Sequence, residues 1–350
     1  MHTNQLISLA TNNLSLLATS ITIVLSALYL LPSRLSPELR SLPSLSYVEG
    51  WRIFFNIYIM PKQWMKGDPF AFIVDIYRQP KFRPLCITGT NAVLVNDYDA
   101  IKEVLAKGMS SYDGRNKTQR ALRECVQLGT HRQYDGGCEL CISSSSFTVA
   151  FGMAELSKYP ECQAEVLREV HESLGDAPFA DPSNVTPARL AELNYLSNCL
   201  HEAIRMYPAA VIVPADVRVD VELCGVTIPK GTRFLCNIRG YSYDPVILPQ
   251  PETFNPKRWS HLISGSDNDT GFMNVDATDT ESMHQGHMAF SLGAHACLGR
   301  NLAILELRCV FAMVLERFHV SPKEGFEIET EVMFTLRPKN GVWLQFKERR

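Results

Sequence analysis

Apolar residues recur at intervals of three and four over residues 161–174, 195–207 and 301–318, so each stretch predicts a helix with one face buried. A serine-rich apolar run from 139 to 159 predicts a longer helix, ended where Pro160 opens the next. Tyr207 and Pro208 end the 195–207 helix in the same way. Strand patterns are shorter. Residues 84–95 read as two strands around Gly89 and Asn91, and Asp97 stands where it can cap a helix over 98–107. Runs at 216–224, 226–228 and 233–236 are rich in β-formers and separated by Gly225 and by Pro229 to Gly231, with the apolar segment 211–214 leading in. Residues 334–346 read as one hairpin turning at Asn340 and Gly341. Between 108 and 137 no period is sustained.

The N-terminal region has a different character. Residues 14–31 carry no charge and are just long enough to span a bilayer as a helix. A signal peptide would want a basic leader and a shorter apolar core, whereas residues 1–13 contain no Lys or Arg. The expectation is a lumenal N-terminus over 1–13 and a transmembrane anchor over 14–31. Arg34 and Arg40 then place the body in the cytosol, at the endoplasmic reticulum, by the positive-inside rule. Residues 32–83 form a linker and docking segment, stiffened by Pro32, Pro37 and Pro43, in which 51–60 reads as interfacial. The remainder, 84–350, reads as one domain.

Composition narrows the function classes. With 46% apolar residues in 350, a sizeable core is available, and a net charge of -3 gives no electrostatic reason to expect a nucleic-acid partner. Ten cysteines at irregular intervals read as reduced thiols in a cytosol-facing body. Cys138 and Cys141 form a Cys-x-x-Cys without a second pair at finger spacing, and His284 and His287 lack further ligands nearby, so neither pair points to a metal site.

One loop does carry chemistry. Phe290, Gly293, His295, Cys297 and Gly299 stand in the order Phe-x-x-Gly-x-His-x-Cys-x-Gly, immediately before the helix expected over 301–318. A cysteine at a helix N-terminus meets unpaired N–H groups and the positive end of the dipole, which favour the thiolate needed for metal ligation or nucleophilic attack. The glycines leave room for a sharp turn or a flat ligand. This loop resembles the haem-binding loop of the cytochrome P450 family, in which the cysteine thiolate is the proximal iron ligand. His295 stands where that family most often has an arginine meeting a haem propionate, and its ring N–H can serve the same oxygen.

Further motifs carry the same resemblance. Glu202 and Arg205 lie three apart on one helix face, and residues 250–259 resemble the family's loop whose arginine, here Arg258, joins them in a buried cluster behind the haem. The run 155–160 resembles the end of the family's long distal helix, which places Ser143 and Ser144 where an acid and a threonine usually stand over the haem. Ser144 then either holds a water or belongs to a serine run that satisfies its hydroxyls against backbone carbonyls. Ala215 replaces an arginine that often meets a propionate.

The resemblance implies a mainly α fold with small β-sheets, a cytochrome P450 fold that is incomplete because residues between about 108 and 138 stand in for a series of helices. It implies haem b as cofactor, Cys297 as the metal ligand, Phe290, Gly293, His295 and Gly299 as further cofactor-binding positions, and Ser144 as the catalytic alcohol. It also implies an NADPH-dependent cytochrome reductase as electron donor, a lipophilic small-molecule substrate, and likeness to fungal-type membrane-anchored members of secondary metabolism. Two alternatives remain. One is an impaired or inactive remnant of such an enzyme, and the other a single-pass anchor protein with a non-catalytic helical domain.

Overall fold

The computed structural model describes residues 82–87, 90–107, 111–113, 139–176, 178–245, 247–260, 288–293, 296–332 and 335–349. The expected anchor, the linker up to residue 81, His295, the pair His284 and His287, and Cys138 lie outside these residues, whereas Phe82 and Arg83, expected in the linker, open the first strand of the domain by pairing with Val95 and Leu94. Among the described residues, no helix is long and apolar enough to cross a membrane.

Two large cores and a smaller cluster of Phe151, Val211, Val332 and Leu336 organise these residues. The first is built on a mixed sheet in the order β1 (Phe82–Ile87), β2 (Thr90–Val95), β7 (Arg233–Asn237), β4 (Ile212–Val217), β3 (Tyr112–Asp113), where β2 and β7 run parallel. Helix α1 (Tyr98–Lys107) starts at Asp97, whose Oδ1 accepts the Ala100 N–H at 3.0 Å, and buries Ile101 and Val104 against Val93, Val95, Phe234 and Cys236. A small hairpin of β5 (Val221–Leu223) and β6 (Val226–Ile228) adds Leu223 and Ile228 to the same core.

The second core is helical. Helices α2 (Glu139–Leu156), α3 (Pro160–Leu174), α5 (Asn194–Met206) and α7 (Arg300–Arg317) meet around Leu156, Val166, Leu196, Leu200, Leu307 and Phe311, with the short α4 (Pro187–Ala191) at one side. Gly152 lets α2 approach closely, since a Cβ there would lie 2.6 Å from the Phe311 ring and 3.3 Å from the Ala203 Cβ. Polar side chains fix the register. Glu169 of α3 accepts the N–H groups of Tyr195 at 2.6 Å and Leu196 at 2.9 Å, supplying from a neighbouring helix the cap that α5 lacks in its own sequence. Burial still pushes the Glu169 carboxyl up. Gln163 is fully buried and acts as a strand edge, taking the Val320 N–H at 3.0 Å and donating to the Val320 carbonyl at 2.7 Å and the Leu156 carbonyl at 2.9 Å.

The strands differ from expectation in two places. The run 216–224 is not continuous: β4 starts earlier, at Ile212, and ends at Val217, and β5 begins only at Val221. Pro214 is accommodated in β4 because its missing N–H faces the side where β3 reaches only Asp216 and Val217 among the described residues. Residues 334–346 are not one hairpin. Strand β10 (Leu336–Pro338) pairs with β9 (Thr330–Val332), and β11 (Leu344–Glu348) pairs with β8 (Phe318–Pro322). The Asn340-Gly341 turn exists, with Gly341 at φ +73°, but β8 offers β11 five paired positions, so the chain leaves β10 for a different sheet.

Because Phe311 is fully buried, Gly152→Ala should destabilise the protein by about 1–3 kcal/mol, the usual range for overpacking. On an exposed helix surface the same exchange stabilises by roughly 0.5–1 kcal/mol, so the sign of the change in urea midpoint decides whether this close approach is required.

Candidate functional site

Cys297 lies three residues before α7, with Gly299 at the cap position, and its side chain is exposed. Its placement is set by backbone. The Cys297 N–H donates to the Phe290 carbonyl at 2.8 Å, Ala296 N–H to the Gly293 carbonyl at 3.0 Å, and Arg300 N–H to the Cys297 carbonyl at 3.3 Å. Phe290 ends a one-turn 3-10 segment, Met288–Phe290, and Ser291 follows at φ +60°, so the chain reverses sharply before the cysteine. Gly293 is required twice over. Its φ is +62°, and a Cβ would stand 2.7 Å from the Ala106 carbonyl oxygen and 3.0 Å from that of Leu105, at the end of α1. Gly299 has no such neighbour: a Cβ there would meet nothing within 4 Å.

Electrostatically the loop is asymmetric. Arg300 sits 5.9 Å from the centre of the Phe290 ring. Burial holds the Arg300 guanidinium below its ordinary range, while Cys297 pulls it back up. Leu298, the residue after the cysteine, and Leu302, in the first turn of α7, are exposed, and the buried Ser291 Oγ has no hydrogen-bond partner. An exposed soft sulfur, apolar surface around it and open space at Gly299 suit a flat, apolar, iron-bearing group. Among the described residues there is no cluster of three His, Cys, Asp or Glu that could hold a metal ion.

The structure also holds a buried ionic cluster. The Glu202 carboxylate, wholly shielded from solvent, takes five donors: Arg205 Nε at 2.9 Å and Nη2 at 3.0 Å, Arg258 Nε at 3.0 Å, the Asn255 N–H at 2.9 Å, and Trp259 Nε1 at 2.8 Å. Arg205 also donates from Nη1 to the Ser242 carbonyl at 2.7 Å and from Nη2 to the Pro251 carbonyl at 2.8 Å. Arg258 reaches the carbonyls of Pro249, Gln250 and Thr253 at 3.1, 3.3 and 3.3 Å. The structure thus brings Glu202, Arg205 and Arg258 together and adds Trp259 and the Asn255 backbone.

The cytochrome P450 sequence profile matches residues 142–345, more than half of the chain. This chain belongs to the cytochrome P450 family. It is 27% identical over 251 residues to cytochrome P450 4d2 of Drosophila melanogaster, covering 71% of this chain and 44% of the relative. It is 30% identical over 215 residues to the mitochondrial sterol 26-hydroxylase of Rattus norvegicus, covering 59% and 36%. It is also 28% identical over 206 residues to thromboxane-A synthase of Sus scrofa, covering 58% and 35%. The chain therefore spans less than half the length of these curated relatives. The family's cofactor is haem, which the Cys297 loop fits on the grounds just given.

The remaining predicted position is Ser144, half-buried on α2, where its carbonyl accepts the Thr148 hydroxyl at 2.9 Å. At least one hydroxyl of this part of the helix is therefore turned onto the backbone one turn away. Ala215 is buried within β4. Several organising residues escaped the sequence reading. Glu169 and Gln163 look like ordinary polar positions on an amphipathic helix, and Arg308, buried and donating to Ser197 Oγ at 3.0 and 2.8 Å, looks like one more charged position on α7. Burial brings the Arg308 guanidinium down to about 10. A polar residue on the otherwise apolar face was the available signal.

Replacing Glu202 by Ala leaves two arginines and an indole facing a dry gap, at a cost of about 3–5 kcal/mol by comparison with other broken buried pairs. Glu202→Ala and Arg205→Ala should therefore lower the yield of folded protein and its melting temperature. A variant with full yield and unchanged melting would show that the cluster contributes only contact surface.

Proposed function

We propose that this chain is a haem-dependent monooxygenase that inserts one oxygen atom from O2 into a lipophilic small molecule. The observation that carries this reading is the exposed Cys297 thiol on a glycine-bounded reversal at the start of α7. Bound haem would supply the iron at which molecular oxygen is activated, and Cys297 would hold that iron as thiolate, its electron release favouring O–O cleavage. Phe290, Gly293, His295 and Gly299 would border the ring. Electrons would come from an NADPH-dependent reductase, and a single-pass anchor over 14–31 would hold the body at the endoplasmic reticulum membrane, facing the cytosol. A sterol and a thromboxane in the names of two relatives support a lipophilic substrate, and a role in secondary metabolism rests on the sequence resemblance alone.

On the distal side, Ser144 Oγ would hold a water and pass protons. Ser143 and Ser144 replace the pairing of acid and threonine, and a hydroxyl without a neighbouring carboxylate is a slow proton source near neutral pH. That substitution favours a second reading, an impaired member of the family that holds haem but turns over poorly.

Two measurements follow. Cys297→Ala should abolish the red-shifted Soret band that marks thiolate ligation in the reduced carbon monoxide complex, whereas Cys309→Ala, on the body of α7, should retain it. An unchanged spectrum in the Cys297 variant ends the assignment. With haem, a reductase and lipophilic substrates, NADPH consumption should yield mainly hydrogen peroxide, because neither oxygen nor protons are well controlled beside Ser144. Product formed in step with NADPH oxidised would instead show an adequate distal pocket and sink the impaired reading.

A further inference from the structure

The Cys297 loop is suspended between the two cores. Its far end continues into α7 and the helical core, and its near end touches both, Met288 and Leu292 packing into the sheet-side core and Ala289 and Phe290 against the helical one. The contact that fixes the near end comes from Tyr241 on α6 (Ile238–Ser242). Asn237 anchors that short helix: fully buried, it accepts the Gly240 N–H at 2.9 Å and donates to Asn96 at 2.9 Å. The Tyr241 ring meets Tyr98 of α1 edge-on at 5.6 Å, and its buried hydroxyl accepts the Met288 N–H at 2.8 Å. From Met288 the connection to the sulfur ligand is short. The Met288 carbonyl takes the Ser291 N–H at 2.9 Å, and the carbonyl of Phe290, two residues on, takes the Cys297 N–H at 2.8 Å.

We propose that Tyr241 is a positioning residue for Cys297, its hydroxyl setting the Met288–Phe290 turn and, through the Phe290 carbonyl, the backbone that carries the thiol. This rests on the haem-thiolate reading of Cys297. Without the hydroxyl, a buried N–H loses its acceptor, and the turn relieves that loss only by moving, which carries the Phe290 carbonyl and Cys297 with it. At Gly293 the loop lies close to the end of α1, where a Cβ would stand 2.7 Å from the Ala106 carbonyl oxygen. Burial pushes the Tyr241 phenol up to about 12, so the hydroxyl is neutral throughout the working range and the effect is geometric.

The test compares Tyr241→Phe with Tyr243→Phe in the full chain. The second variant also removes a buried hydroxyl, one that donates to the Met206 carbonyl at 3.0 Å away from the loop. In the haem-loaded proteins, Tyr241→Phe should lose haem to a scavenging apo-globin about tenfold faster than the unaltered chain, the change expected when a buried group loses its acceptor. It should also show a diminished thiolate-type Soret band, and Tyr243→Phe should show neither effect at similar thermal stability. Hydrogen exchange over 288–297, measured without haem, should quicken in Tyr241→Phe alone, so a variant that takes up no haem still reports on the loop. Equal haem loss in the two variants, or unchanged exchange over 288–297, would overturn the proposal while leaving Cys297 as ligand. Failure of the unaltered chain to take up haem removes the ligand reading and this one with it.

Discussion

A single carboxylate that never meets water constrains the site. Five donors converge on Glu202, and those donors come from α5 and from the segment 255–259. Arg205 extends the network to the Ser242 carbonyl, the residue after Tyr241, and Tyr241 in turn holds Met288 at the entrance of the Cys297 loop. An unbroken run of short contacts thus leads from a buried charge to an exposed thiol. The desolvation cost of the ions is offset only when every donor and acceptor is used, which ties the position of α5 to that of the 242–259 segment.

The helical core follows the same rule on a smaller scale. Apolar faces bring α2, α3, α5 and α7 together, but hydrophobic contact alone leaves sliding and rotation weakly specified. Glu169 at the start of α5, Gln163 along the edge of β8 and Arg308 against Ser197 each tie the element that carries them to a neighbour. Tyr207 does likewise on the other side of α2, donating to Glu155 at 2.5 Å while its ring stacks on Phe151 at 4.4 Å. These contacts define one register, and Gly152 sets how near α2 comes to Phe311.

The two faces around the proposed haem differ in how fully they are furnished. On the cysteine side the loop is positioned from both cores, with glycine where backbone stands against backbone. On the side of α2, the proposed distal position carries Ser143 and Ser144 in place of the acid and threonine that the sequence resemblance implies. Ligand binding and oxygen chemistry are separable for this reason: one needs a well-placed sulfur, the other a dry pocket with a matched proton donor.

Periodicity together with cap and proline signals marked the helices over 98–107, 160–174, 194–206 and 300–317, because such segments carry their pattern locally and Asp97, Pro160 and Pro208 bound three of them. It also fixed Glu202 and Arg205 on one face, and the Phe-x-x-Gly-x-His-x-Cys-x-Gly spacing singled out the cysteine loop. Strand partnership was not legible in the same way. An Asn-Gly turn between two short apolar runs reads as a hairpin, yet β11 pairs with a strand more than twenty residues earlier, since pairing energy depends on which edge is free in space. Only the tertiary structure decided that Arg258 and Trp259 reach the same carboxylate, that Glu169 caps a helix not its own, and that Tyr241 touches the cysteine loop. In each of these contacts the partners lie tens of residues apart, and a polar side chain on a short segment gives no local sign of what it will meet once the cores close.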